Sequence, residues 1–192
     1  MRTLVFATNN QHKLEEVQAI VGNNFALRSL KDIGCEADIP ETGTTFEENA
    51  SQKSRYIFDH FGLDCFSDDS GLEIDALNGE PGVYSAHYSG TRDTEANLQL
   101  VLDKLGSNPN RGARFRCVIS LILNGKEHFF EGSVEGTITT GRSGKSGFGY
   151  DPVFQPLGYK ETFSEMSAQE KNQISHRGRA MEKLVEFLNQ IQ

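Results

Sequence analysis

Leu4-Val5-Phe6-Ala7 is a compact apolar run that stops at Thr8-Asn9-Asn10, and Gln11-His12-Lys13-Leu14 follows at once. An apolar run of this length ahead of turn residues reads as a buried strand. Beyond the turn, Leu14, Val17 and Val21 recur at helical spacing with Glu15, Glu16 and Gln18 on the opposite side. That spacing predicts an amphipathic helix.

The same alternation continues along the chain. Thr44 and Thr45 precede Glu47 and Glu48 as overlapping capping-box candidates, and Phe46, Ala50, Ile57 and Phe61 form a stripe. A second helix is predicted there, with Asn49 and Lys53 four apart on one face. Cys65-Phe66-Ser67 reads as a short strand entering the polar cluster Asp68-Asp69-Ser70-Gly71, and the alternating Leu72, Ile74 and Ala76 read as another. Leu98, Val101, Leu102 and Leu105 mark a third helix, with caps at Asp93 or Thr94 and at Gly106. Alternation from Arg114 to Leu123 leads into Asn124-Gly125, which predicts a two-residue hairpin turn and a return strand near Glu127 to Glu131. Glycines crowd positions 132 to 149, and Met181, Leu184, Val185, Leu188 and Ile191 line a last helix. Helices alternating with strands, plus one long hairpin, mean a mixed α/β sheet. No repeat, low-complexity segment or linker divides residues 1–192, so a single domain is expected.

Composition narrows the function classes. Nineteen basic against 27 acidic residues give a net charge of −8, which argues against a nucleic acid polymer as partner because backbone binding needs a basic face. Cys35, Cys65 and Cys117 are far apart with no C-x-x-C pair, so they read as free thiols of a reduced cytoplasm. The apolar run at the N-terminus is too short for a signal sequence, and no stretch approaches the ~20 apolar residues of a membrane span.

Polar residues concentrate at the ends of the predicted elements, where sites are built. Thr8-x-Asn10-x-x-Lys13 lies between a strand and a helix start, whose unpaired N–H groups and positive dipole end suit a phosphate. A lysine in that first turn opposes the dipole, and an anion would resolve the conflict. Asp68-Asp69 places two carboxylates side by side, and a divalent cation would relieve their repulsion. Hard Mg2+ suits carboxylates combined with substrate phosphates, leaving one carboxylate to act on water as general base. Glu41, after Pro40 in a loop, is an acid that could supply a second ligand. Gly147-Phe148-Gly149-Tyr150-Asp151-Pro152 offers a ring flanked by glycines, open to stacking with a base. Lys171 with Ser175-His176-Arg177 lies between the capping box Ser167-x-x-Glu170 and the last helix, and is rich in donors. Taken alone, each cluster also fits a plainer reading: a solvated cap, an Asx-rich turn, a tight turn with core aromatics, a basic turn. Gly144-Lys145-Ser146 is not the end of a Walker loop, since Thr139 stands where the first glycine is required.

Taken together and in order, the motifs are more specific. Thr8-x-Asn10-x-x-Lys13, Phe46-x-Glu48-Asn49-Ala50 with Lys53, Asp68-Asp69-Ser70-Gly71, Pro81-Gly82-Val83-Tyr84-Ser85-Ala86, Phe148-Gly149-Tyr150-Asp151-Pro152 and Ser175-His176-Arg177 resemble the Ham1/RdgB family of inosine/xanthosine triphosphate pyrophosphatases. The resemblance runs from Thr3 to Leu188. It implies an elongated mixed sheet flanked by helices, two lobes around a central cleft, a homodimer, and Mg2+-dependent hydrolysis of ITP, dITP and XTP to monophosphate and pyrophosphate. By matching position it also implies that Thr8, Asn9, Asn10, Gln11, His12 and Lys13 contact the triphosphate, with Lys53 reaching the same phosphates. Asp69 would be general base and metal ligand, Glu41 the second ligand and Ser70 a substrate contact. Phe148 would stack on the purine, Gly149, Tyr150 and Asp151 would belong to the base pocket, and Lys171, His176 and Arg177 would line it. Asn9 departs from the Gly of many relatives, and its tolerance of left-handed backbone is expected to preserve the turn.

Lysine and arginine carry only donors, so they fit the O6 acceptor of hypoxanthine or xanthine and oppose the N6 amino group of adenine. Guanine also has O6 and must be excluded at its 2-amino group. Two other classes fit parts of the pattern: a Maf-like pyrophosphatase of modified pyrimidine or canonical nucleotides, and a non-catalytic nucleotide sensor. Phe148, Asp151 and His176-Arg177 favour the purine reading over the first, and Asp68-Asp69 counts against the second.

Overall fold

In a computed structural model, which describes residues 2–191 apart from the His12 and Glu16 side chains, the opening run is β1 (Arg2–Phe6) and the helix behind it is α1 (Gln11–Val21). There follow β2 (Phe25–Arg28), α2 (Phe46–Phe61), β3 (Cys65–Ile74), α3 (Thr94–Leu105), β4 (Gly112–Leu123), β5 (Lys126–Ile138), β6 (Phe154–Pro156), α4 (Ala168–Ile174) and α5 (His176–Gln190). The strands form one six-stranded mixed sheet in the order β2-β1-β3-β4-β5-β6. β1 runs parallel to both β2 and β3, while β6 pairs antiparallel with the end of β5. The expected mixed α/β class is therefore observed.

The chain divides into two compact units, each assembled from separated segments. The first comprises Met1–Asp69, Val118–Glu131 and Ala180–Gln192, and the second Ser70–Cys117 and Gly132–Arg179. In the first unit, Val5, Leu30, Ile57, Cys65 and Ile122 share one apolar cluster, and the Phe6 and Phe66 rings stack at 4.5 Å. In the second, Leu72, Leu98, Val101, Phe115, Phe154 and Phe163 share another. β4 alternates between buried and half-buried positions up to Arg116 and is buried at every position from Cys117 to Leu123. The polar Ser120 is accommodated there because its hydroxyl pairs with Ser54 at 2.5 Å and donates to Glu127 Oε1 at 2.7 Å.

Several elements differ from the sequence expectation, and the difference at β3 bears on the site. β3 is a single strand from Cys65 to Ile74, so Asp68-Asp69-Ser70-Gly71 is not a turn between two strands. β2 and β6 were not predicted; both are short and carry little alternation. The Asn124-Gly125 turn does form, with φ of 50° and 78°, the left-handed pair that a type I′ hairpin requires. Its return strand extends well past Glu131, to Ile138.

Candidate active site

The first unit gathers the residues proposed for phosphate and metal. Asn10 caps α1 by accepting from Lys13 N at 3.2 Å, and Thr8 Oγ1 accepts from Asn10 N at 3.1 Å. These local bonds fix where the turn ends and hold Lys13 in the first helical turn. Asn9 is extended or helical rather than left-handed, since the only non-glycine residues with positive φ among those described are Asn78 and Asn124. The reason expected for the turn's survival is thus not the operative one. Asn9 Oδ1 instead accepts from Lys31 N at 2.9 Å, tying the turn to the next segment. Gln11 is engaged with Glu15 at 3.0 Å, and the His12 side chain lies outside the described residues.

Lys13 Nζ stands 3.3 Å from both carboxylate oxygens of Asp68, which is only 4% exposed. Lys53, one turn beyond Asn49 on α2, places Nζ 2.7 Å from Glu41 Oε1 and also donates to the Asp68 carbonyl. Burial works against the Lys53 charge, but Asp68, Glu41 and Asp69 outweigh it and hold its pKa above the ordinary lysine value. The next residue on β3 shows the opposite imbalance. Burial lifts the Asp69 carboxyl to about 6, helped by Glu41 and Asp68 and only partly offset by a hydrogen bond from Asn49 and by Lys53. The structure therefore brings Lys13, Lys53, Asp68, Asp69 and Glu41 into one electrostatic cluster.

Three carboxylates against two ammonium groups leave this cluster short of positive charge. The donor set fits a hard divalent cation: it is all oxygen, and burial together with Glu41 and Asp68 disfavours the ionised form of Asp69, which a cation would restore. Among the described residues no three acidic, His or Cys side chains stand close enough to cage a metal by themselves. A cation that keeps waters and shares substrate oxygens does not need such a cage.

The second unit gathers the residues proposed for the base. Phe148 is 79% exposed, an unusual position for a phenyl ring. Its loop is pinned from below: Phe148 N donates to Asp151 Oδ2 at 2.9 Å, and Lys171 Nζ reaches the same oxygen at 2.5 Å. Gly147, at φ +86°, could not carry a side chain, since a Cβ would lie 2.5 Å from that oxygen. Asp151 is 4% exposed, so it holds the Phe148 loop and Lys171 together. Tyr150 is buried and donates to the Ser85 carbonyl at 2.6 Å. Burial accordingly raises its phenol far above the ordinary range.

Lys171 sits in the last turn of α4, whose start is fixed by the reciprocal Ser167–Glu170 capping box foreseen in the sequence. Ser175 accepts from Gly178 N at 3.1 Å and so caps α5. That places His176 and Arg177 in the first turn of α5, with the His176 ring stacked 5.0 Å from Phe115. Ser70 follows Asp69 on β3, half-buried. The residue that the sequence reading left out of the site is Asn49, although its shared face with Lys53 was legible and was the available signal. Its side chain is 3% exposed and donates to Asp69 Oδ2 at 3.0 Å.

The family model described as the Ham1 family matches residues 4–187. A dITP/XTP pyrophosphatase of Flavobacterium psychrophilum is 48% identical, over 96% of this chain and 97% of the relative. The solved Ham1 protein of Staphylococcus aureus superposes with a TM-score of 0.95 at 39% identity, covering 100% of both chains. A nucleoside-triphosphatase / dITP/XTP pyrophosphatase from Mycobacterium abscessus gives 0.83 at 42% identity, covering 95% of this chain and 98% of that one.

Proposed function

The chain belongs to the Ham1 family and is a nucleoside-triphosphate pyrophosphatase of non-canonical purine nucleotides, and we propose that Asp69 is the general base of its reaction. The substrates are ITP, dITP and XTP, converted to the monophosphate and pyrophosphate. The observation that supports the assignment to Asp69 is a half-buried carboxylate lifted to about 6, held at one oxygen by Asn49 and next to the carboxylate on which Lys13 rests. A base of that strength at neutral pH can accept a proton from water.

In this reading, the triphosphate draws Lys13 and Lys53 off Asp68 and Glu41 and onto its own oxygens. Thr8, Asn10 and the first turn of α1 orient it, with Asn9 and Gln11 alongside. Asp69 then holds the proton of the water that attacks the α-phosphorus. Asp69 and Glu41 would hold Mg2+, and the chemistry it would supply when bound is neutralisation of charge on the transferring and leaving groups. Phe148 stacks on the purine, and Lys171 and Arg177 donate to its O6, with His176 alongside. Adenine would set its amino donors against those donors, an unpaired arrangement that can cost ~10⁴-fold in selectivity.

The homodimer and the cytoplasmic location belong to the same proposal. No helix among the described residues is long and apolar enough to cross a membrane, and buried thiols at Cys35, Cys65 and Cys117 fit a reducing compartment. Assay of Asp69→Asn with ITP and Mg2+ tests the central assignment. The expected loss of kcat is ~10³-fold or more, and near-normal turnover would remove Asp69 from both its roles.

A further inference from the structure

We propose that Asn49 is a positioning residue: its buried amide aims the Asp69 carboxylate and ties down the segment that carries Glu41. The inference rests on the reading of Asp69 as general base. Both ends of the amide are used. Nδ2 donates to Asp69 Oδ2 at 3.0 Å, and Oδ1 accepts from Gly43 N at 2.7 Å, two residues past Glu41. The opposite amide orientation would set oxygen against carboxylate and N–H against N–H, so the partners themselves fix which way the group points.

The approach of the Glu41 segment is close enough to demand glycine. A Cβ on Gly43 would lie 2.6 Å from Glu48 Cβ and 2.8 Å from Asn49 Oδ1. The neighbouring bonds reinforce the same geometry: Thr45 caps α2 by accepting from Glu48 N at 3.1 Å, and Gln52 Oε1 accepts from Thr42 N at 2.9 Å. A carboxylate otherwise turns easily about its last torsion. The bond from Asn49 to Oδ2 restrains that torsion, and it does so without adding charge.

The test separates the two bonds. Asn49→Asp keeps the acceptor for Gly43 N–H but replaces the donor to Asp69 with a second carboxylate oxygen, whereas Asn49→Leu removes both bonds and adds no charge. With ITP and Mg2+, Asn49→Asp, like the uncharged Asn49→Leu, is expected to lower kcat by ~100-fold while KM changes by less than ~3-fold. In an Asp69→Asn background, followed by single-turnover assay, the same substitution is expected to cost less than ~2-fold, because two residues acting as one unit are not additive. Amide exchange at Gly43 in the metal-free protein should stay slow in Asn49→Asp and accelerate by ~10-fold or more in Asn49→Leu. Equal losses in both backgrounds, an effect on KM alone, unchanged kcat, or Gly43 exchange indifferent to Asn49→Leu would each overturn the proposal. If Asn49→Asp does not fold, Asn49→Ser carries the same cycle. Failure of the underlying reading is seen separately, as near-normal turnover in Asp69→Asn alone.

Discussion

Lys171 shows how a single side chain can be both fixed and available. Its ammonium spends one bond on Asp151 Oδ2 and lies 5.5 Å from the Phe163 ring centroid, which leaves further donors for a base carbonyl. Lys171→Met removes the donor while keeping most of the apolar stem. It is expected to reduce kcat/KM for ITP by ~10–100-fold and to leave the low activity with ATP nearly unchanged, so that selectivity falls; parallel assays with the two nucleotides measure it. Equal losses with both would assign Lys171 to holding the Phe148 loop rather than to reading the base. Asp151 illustrates what the sequence did not disclose. Its place beside Phe148 was evident, but its bond to Phe148 N depends on Gly147 allowing the chain to fold back, a backbone property of one residue acting on another's side chain.

Elements differ in how much of their origin is local. β1, the turn and α1 are written in four apolar residues, an Asn cap and a helical stripe, and they form as read. The β4–β5 hairpin is equally local, since Asn124 and Gly125 supply the two left-handed residues it needs. Gly125→Ala forces a side chain into φ +78° with no steric obstacle nearer than Phe58 at 3.6 Å. Urea unfolding should therefore show a loss of about 1 kcal/mol with kcat unchanged. β3 is the contrary case. Asp68-Asp69-Ser70-Gly71 has the composition of a turn, and it remains a strand because Lys13, Lys53 and Asn49, from distant parts of the chain, meet its carboxylates and carbonyl. Such support is invisible to periodicity. β2 and β6 were missed for a related reason, as each is only four or three residues long and takes its conformation from pairing with β1 or β5.

At the scale of the whole molecule, the acidic excess and the substrate's charge pull in opposite directions. A chain of net charge −8 repels a triphosphate at long range, so attraction must come from Lys13, Lys53, Lys171, Arg177, a helix start and the cation that accompanies the nucleotide. Chelating Mg2+ with EDTA should consequently weaken ITP binding as well as abolish turnover, and calorimetry with and without Mg2+ checks the first effect. The most direct test of the account follows the oxygen of the attacking water. Hydrolysis of ITP with Mg2+ in 18O-labelled water, read by 31P NMR or mass spectrometry, should place the label in IMP and leave the released pyrophosphate unlabelled. Label in the pyrophosphate, or orthophosphate as the released product, would contradict attack at the α-phosphorus and the arrangement of residues built around it.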